Sequence, residues 1–209
     1  MPSQTFFNLQ ITKQNKILEA AKKEFSKVPF AEASINQIIK EANISRGSFY
    51  MYFENKYDLI SYILEFFRIT LRNYMLKIIP SVDGDLEKIT LEIHDYFYHL
   101  YEDKENQNFI KNIIIYFHSN MENNNSNCIH QQPIKDELQM MIPYLNPNQF
   151  YFTDENKIKS VVDIVFSVLK TVLYNAMLVS ETVELSRKRL KEYLSIIKIG
   201  YTKKEEEMN

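Results

Sequence analysis

The spacing of apolar residues in the first third of the chain predicts several helices separated by short breaks. Residues 12–27 carry apolar side chains at three- and four-residue intervals, as expected for one face of a helix. This pattern stops before Pro29, because proline pushes the residue that precedes it out of the helical region. Ser34 is a favourable N-cap for a second, two-turn helix. Asn43 follows that helix, and asparagine tolerates the left-handed backbone of a sharp turn.

The stretch after this turn, ISRGSFYMYFENKYDL, combines a short apolar pattern with a polar front. Ser45 can cap a third helix, and Phe49 and Phe53 lie four residues apart on its inner face. A longer apolar pattern covers residues 55–79 and is expected to end before Pro80. Two helices joined by a tight turn, the second beginning Ser-Arg-Gly-Ser, form a helix-turn-helix motif.

The remaining residues continue as helical patterns with few turn signals. Only 3 glycines and 6 prolines occur in 209 residues, which favours long uninterrupted elements, and we therefore expect an all-α protein. Further helices are predicted over residues 85–103, 106–120, 133–142, 154–180 and 184–204. Apolar residues fall on more than one face between 158 and 178, which predicts that this helix is buried on two sides.

Composition and charge exclude several classes of protein. A lone cysteine, Cys128, cannot form a disulfide within the chain and fits a reducing compartment. The N-terminus lacks the pattern of a secretory signal, and the most apolar stretch carries Asp163 and Lys170. We therefore expect a cytoplasmic protein without a membrane span. Residues 1–72 carry a net charge of +3 against −5 for the rest, which is compatible with nucleic-acid binding at the front.

The residue types at this polar front suit the DNA major groove, where a helix-turn-helix places the start of its second helix. The hydroxyls of Ser45 and Ser48 can approach phosphate, and Gly47 lets the backbone come close to DNA. Arg46 can pair with phosphate or guanine. The predicted DNA-binding residues are Ser34, Ser45, Arg46, Gly47, Ser48, Tyr50, Met51, Tyr52 and Lys56.

This stretch resembles the TetR/AcrR family of bacterial transcriptional regulators. It is similar to the family pattern V-S-K/R-G-T/S-L/F-Y-x-Y/H-F-x-x-K-x-x-L, and the resemblance runs from residue 13 to residue 64. Asn43 stands where the family usually has glycine, and Ile39 where alanine is common. Neither departure removes a DNA-facing group. Beyond residue 79 the resemblance is only architectural.

The resemblance implies about nine helices arranged in two domains. A three-helix DNA-binding domain would cover residues 1–54 and join, through the helix at 55–79, an effector-binding and dimerisation domain over 80–209. It also implies a homodimer through the last two helices, a palindromic double-stranded operator, and a small-molecule effector whose identity stays open. A ligand-responsive repressor is expected, without a cofactor or a metal.

Aromatic residues in the second half suggest where an effector could bind. The predicted pocket residues are Phe97, Tyr101, Phe117, Phe166, Leu169 and Tyr174, although core packing explains any one of them at least as well. Cys128 and His130 lack a second ligand pair, so metal binding is not expected. A helical enzyme and a protein-interaction module on the same fold remain alternatives, but no nucleophile–base motif supports catalysis.

Overall fold

The structure, a computed structural model, describes residues 1–104, 106–122 and 140–202, with the side chains of 117–122 excepted. These residues form nine α-helices and no strand, which confirms the predicted all-α class. The helices are α1 Gln4–Phe7, α2 Ile11–Lys27, α3 Ile35–Ala42, α4 Arg46–Tyr52, α5 Lys56–Ser81, α6 Leu86–Glu102, α7 Gln107–Glu122, α8 Glu155–Leu178 and α9 Val183–Ile199. Most of the helix predicted at 133–142, together with Cys128 and His130, lies outside the described residues.

The turn between α3 and α4 forms as predicted, and α3 begins directly after Ser34 as predicted, but without a side-chain cap. Asn43 adopts φ 53° and ψ 51°, and the Ile44 N–H donates to the Ile39 carbonyl at 3.0 Å. Ser34 occupies the N-cap position of α3, yet its hydroxyl makes no capping hydrogen bond. Its N–H instead donates to the buried Glu24 carboxylate at 2.9 Å, which ties the start of α3 to α2.

Helix α5 is longer than predicted and runs through Pro80 to Ser81. A proline in the last turn removes a single intrahelical hydrogen bond, so the helix tolerates it there. The chain turns instead at Asp83 and Gly84, which have φ values of 54° and 64°. A Cβ on Gly84 would lie 2.5 Å from the Tyr144 carbonyl oxygen, so this turn requires glycine for space as well as for conformation.

Helices α6 to α9 pack together as a helical body, and α7 also packs on α2. The Asn112 side-chain amide of α7 donates to the Phe25 carbonyl at 2.7 Å and to the Val28 carbonyl at 3.2 Å. The Phe30 ring lies 5.2 Å from the Tyr116 ring. The front of the molecule is therefore joined to the body by α7 as well as by the continuous helix α5.

Helix α8 buries one broad face against the rest of the chain and exposes the opposite one. By length and composition α8 could also cross a membrane, with a mean hydropathy of 1.6. Packing on α6, α7 and α9 accounts for its most buried residues without a membrane. These residues are Val162, Val165, Phe166, Leu169, Val172, Leu173, Ala176 and Met177.

Candidate nucleic-acid interface

The start of α4 is fixed by a hydroxyl cap. Ser45 has an extended backbone, and its Oγ accepts a hydrogen bond from the Ser48 N–H at 3.0 Å. The Oγ atoms of Ser45 and Ser48 lie 2.8 Å apart, so the two hydroxyls share a hydrogen bond. This cap satisfies an amide that a helix start otherwise leaves without a partner. The predicted role of Ser45 as N-cap of this helix agrees with the structure.

Arg46 is exposed but held in place on the outer face of α4. Its Nη1 donates to Asn36 Oδ1 at 2.8 Å, and its Nη2 donates to the Tyr50 hydroxyl at 3.3 Å. The guanidinium carbon also lies 5.5 Å from the centre of the Tyr50 ring. No sequence pattern indicated Asn36, whose contact arises only because α3 lies beside α4. The side chain of Arg46 is thus held in one orientation in the free protein by contacts from α3 and α4.

The outer and inner faces of α4 separate the predicted residues into two groups. Tyr50 is 45% exposed and Met51 is 60% exposed, so both present their side chains to solvent. Tyr52 is only 5% exposed, and its ring lies 6.2 Å from the ring of Phe6. Because Tyr52 follows Phe49 by three residues, helical spacing places it on the inner face. Tyr52 therefore belongs to the core, which corrects its expected place on the DNA-facing side.

Gly47 faces open space on α4. A Cβ built at this position would meet only the Ser45 Oγ, at 3.8 Å, which is an ordinary contact. The backbone of the protein alone therefore does not require glycine here, and glycine inside a helix costs about 0.5–1 kcal/mol relative to alanine. A glycine that the fold does not need is consistent with a close approach by something outside the chain.

Lys56 does not extend into solvent from the start of α5. Its ammonium donates to the Ala31 carbonyl and, at 3.2 Å, to the Ala33 carbonyl. Both carbonyls lie in the loop between α2 and α3, immediately before Ser34. The lysine therefore holds the loop that leads into the helix-turn-helix.

The predicted effector residues are mostly packed in the body. Tyr101, Phe166 and Leu169 are buried, whereas Phe97 and Tyr174 are half-buried. The side chain of Phe117 lies outside the described residues. An open groove of about 380 Å³ lies elsewhere, between α8 and α9, and includes none of these six. Its lining residues are Asp163, Ile164, Ser167, Val168, Thr171 and Tyr193. The aromatic pocket stays a prediction.

A buried polar cluster joins α6 to α9, and no sequence motif indicated it. His94 Nε2 lies 2.9 Å from Ser186 Oγ, and His94 Nδ1 lies 2.9 Å from Asp95 Oδ1. Asp95 also accepts a hydrogen bond from Arg187 Nε at 2.8 Å. Burial lowers the pKa of His94 below its ordinary value of 6.5, although Asp95 opposes this. The order serine, histidine, carboxylate is that of a nucleophilic triad, but Ser186 and His94 are both fully buried and meet no solvent.

Proteins that read the major groove through a helix-turn-helix expose the outer face of the second helix, as α4 does. The fold and this front therefore define a helix-turn-helix protein with an additional helical body. The family model described as bacterial regulatory proteins, tetR family, matches residues 17–63, from within α2 to the first turns of α5. Over these residues the chain is similar to the TetR family.

A relative among curated proteins points the same way. Over 99 residues the chain is 26% identical to the uncharacterized HTH-type transcriptional regulator YdgC of Bacillus subtilis (strain 168). The match covers 46% of this chain and 51% of YdgC. The chain thus spans about half the length of this curated relative.

Solved structures extend the likeness to the helical body. The fatty acid degradation regulator FadR from Bacillus halodurans is 18% identical, with a TM-score of 0.60 over 88% of this chain and 96% of that one. The transcriptional regulator FadR from Bacillus subtilis, solved in complex with stearoyl-CoA, is 17% identical, with a TM-score of 0.57 over 85% and 95%. At these identities the likeness concerns the fold alone.

Proposed function

We propose that this protein is a transcriptional regulator that binds a near-palindromic operator as a homodimer and acts as a ligand-responsive repressor. The observation that carries the proposal is the outer face of α4, where Arg46 is exposed yet held by Asn36 and Tyr50. A side chain already oriented in the free protein loses less conformational entropy on binding. An oriented arginine beside tyrosine and methionine suits guanine, phosphate and thymine edges in a major groove.

Within this proposal the predicted DNA-binding residues have different roles. Arg46, Tyr50 and Met51 reach base edges or phosphate. Of the Ser45 and Ser48 hydroxyls, the one that does not donate to the other donates to phosphate. Gly47 admits the DNA backbone next to α4. The hydroxyl of Ser34, which makes no capping bond, donates to a second phosphate. Lys56 acts by positioning, because contact with phosphate would require it to release the carbonyls of Ala31 and Ala33.

A second copy of the chain would cover the outer face of α8 and α9. Ile164 of α8 is 52% exposed and Tyr193 of α9 is 43% exposed, and both line the groove between the two helices. Ile196 and Leu185 extend this apolar face along α9. Two such faces related by a two-fold axis would form a four-helix bundle and bury these side chains. The same symmetry would present two α4 helices to the two halves of a palindrome.

The proposed division of labour follows the helices. Residues 1–54 form the DNA-binding domain, and residues 80–209 form the effector-binding and dimerisation domain, with α5 as the covalent link. Asn112 gives the effector domain a second contact with α2, next to the loop that precedes α3. An effector would change the affinity of the protein for DNA only if it binds two arrangements of these domains with different affinity. The aromatic side chains of the body favour an apolar effector, and the FadR of Bacillus subtilis offers a precedent in stearoyl-CoA.

Two other classes of function are less well supported. For an enzyme, the serine–histidine–carboxylate cluster would be the obvious centre, but Ser186 and His94 are enclosed by the body. For a protein-interaction module that has lost DNA binding, the oriented Arg46 and the unneeded Gly47 would have no purpose. A cytoplasmic regulator that binds DNA accounts both for the oriented Arg46 and for the glycine at position 47.

Selection of genomic DNA tests the proposal. Purified protein is mixed with genomic fragments at near-physiological salt, and the retained DNA is sequenced. Enrichment of a near-palindromic site is expected, since nonspecific binding would retain fragments without a shared sequence. The experiment is repeated after unfolding and refolding, which removes any co-purified ligand. A folded dimer that enriches no sequence in either form would overturn the regulator proposal and favour the interaction module.

A further inference from the structure

We propose that the N-terminal helix α1 is a positioning element for DNA recognition, which holds the C-terminal end of α4 through Ser3 and Phe6. This inference rests on the proposed function, because it assigns α1 a part in the same DNA-binding site. Residues 1–16 lie before the region matched by the family model. No DNA-contacting role was expected of them from the sequence.

Two hydrogen bonds join the start of α1 to the last turn of α4. The Ser3 N–H donates to the Tyr52 carbonyl at 2.9 Å, and the Ser3 hydroxyl donates to the Met51 carbonyl at 2.6 Å. The last carbonyls of a helix have no partner within the helix itself. Ser3 supplies partners from a distant part of the sequence, and one of the two belongs to Met51, whose side chain is in the proposed DNA-facing set.

Phe6 adds an apolar anchor beneath the same end of α4. Its side chain is fully buried, with its ring 4.9 Å from that of Phe53 and 5.5 Å from that of Tyr62. Gln14 of α2 fixes the other end of α1, because its side-chain amide donates to the Leu9 carbonyl at 2.9 Å. Helix α1 and the residues that flank it thus contact α2, α5 and the C-terminal end of α4.

The short length of α4 gives these contacts a consequence for binding. α4 has 7 residues, and helices of two turns are not stable by themselves in water. Its first turn is secured by the Ser45 cap, whereas its last turn is secured by Ser3 and by the buried aromatic rings. If the last turn of α4 were mobile in the free protein, it would have to become ordered when DNA binds. The conformational entropy lost in this step would lower the affinity for the specific site. Nonspecific binding through charge does not need the same order.

The test compares single-residue variants of the full-length protein. Ser3→Ala removes the hydroxyl bond to Met51 and leaves the backbone bond to Tyr52. Ser3→Thr keeps a hydroxyl at the same position, and Thr5→Ala removes a hydroxyl from an exposed position of α1 as the matched control. Phe6→Leu, which keeps an apolar side chain, is a second and independent variant. Each is measured for affinity to the selected operator duplex, for affinity to a scrambled duplex, and for hydrogen exchange of residues 49–53 without DNA.

Ser3→Ala is expected to weaken operator binding about 4-fold, which corresponds to a loss of about twofold at each of two α4 helices, less than a full hydrogen bond contributes. Affinity for the scrambled duplex stays unchanged, and hydrogen exchange of residues 49–53 becomes faster. Ser3→Thr restores the operator affinity, Thr5→Ala matches the wild type, and Phe6→Leu shows the same loss of operator affinity as Ser3→Ala or a larger one.

Four results would overturn the inference. If Ser3→Ala and Phe6→Leu bind the operator as tightly as the wild type, α1 has no positioning role. If operator and scrambled duplexes are weakened equally, the effect is not one of recognition. A wild-type protein that selects no duplex at all refutes the proposed function, and with it the role of α1. Accelerated exchange without any loss of operator affinity would leave α1 a purely structural element.

Discussion

The front of the molecule and its helical body place their polar side chains in opposite ways. In α4, Arg46 and Tyr50 lie at the surface and contact each other there. In the body, His94 and Ser186 are fully buried and join one helix to another. The polar residues on the outer face of α4 are thus available for binding, whereas those between α6 and α9 hold the body together.

The largest effect is expected at the body, from a charge placed on the proposed dimer face. Ile164→Asp should produce a monomer, because an aspartate buried between two copies would be desolvated without a partner. A monomer loses the second half-site, so operator affinity should fall by about 10²–10⁴-fold. Sedimentation measures the mass and duplex titration measures the affinity. The control is Ile69→Asp on α5, an isoleucine that is also exposed. A dimeric Ile164→Asp protein would place the interface elsewhere.

A smaller loss is expected from the front when Arg46 is removed. Arg46→Ala deletes an exposed side chain, so the free energy of unfolding should change little. A base or phosphate contact of about 1–3 kcal/mol at each recognition helix predicts at least about 30-fold weaker operator binding. Lys88→Ala is the matched control, since it removes the same charge from an exposed position on α6. Equal losses for both variants would show that net charge alone matters.

Gly47→Ala should change folding and binding in opposite directions. The added methyl group fits the free protein and should raise stability by about 0.5–1 kcal/mol. If DNA approaches this backbone closely, the same methyl group should cost on the order of 1 kcal/mol per recognition helix, comparable to a lost hydrogen bond. Thermal melting and duplex titration measure the two quantities. Unchanged operator affinity would mean that DNA does not come close to Gly47.

The smallest effect is expected from the buried histidine and concerns stability alone. Burial lowers the pKa of His94 below 6.5, so the unfolded chain takes up a proton at a pH where the folded chain does not. The stability is therefore fully present above about pH 6.5 and decreases as the pH falls below it. Each unit by which the pKa is lowered corresponds to about 1.4 kcal/mol.

His94→Gln should make the stability depend less on pH between about 6.5 and 5, as measured by denaturant titration at each pH. Asp95 and Arg187 face His94 and are kept in the variant, as is Ser186. His99→Gln, at an exposed position of the same helix, is the control. Loss of operator binding in His94→Gln at neutral pH, with the fold intact, would contradict the purely structural role of this cluster.

Local patterns were sufficient to predict the front because its elements depend on neighbouring residues. The Ser45 cap, the left-handed Asn43 and the buried Phe49 all follow from short-range spacing and residue type. The helix through Pro80 and the missing hydroxyl cap at Ser34 were not predicted, since the first depends on position in the last turn and the second on Glu24 of another helix.

Contacts between distant residues account for what the sequence did not reveal. Ser186 lies far along the chain from His94, and Asn36 reaches Arg46 only across the turn. Lys56 lies at the start of α5 as expected, but the loop carbonyls that it contacts cannot be inferred from spacing. The predicted pocket depends on tertiary packing in the same way, and it stays a prediction.

Hydroxyl-radical footprinting of the selected duplex tests directly whether two α4 helices recognise DNA together, because it shows where they lie on the duplex. We expect two protected regions on one face of the duplex, separated by about one helical turn, 34–36 Å, or slightly more. Both regions should disappear together in Arg46→Ala at the same protein concentration. A single protected region, or protection that survives in Arg46→Ala, would contradict recognition by paired α4 helices.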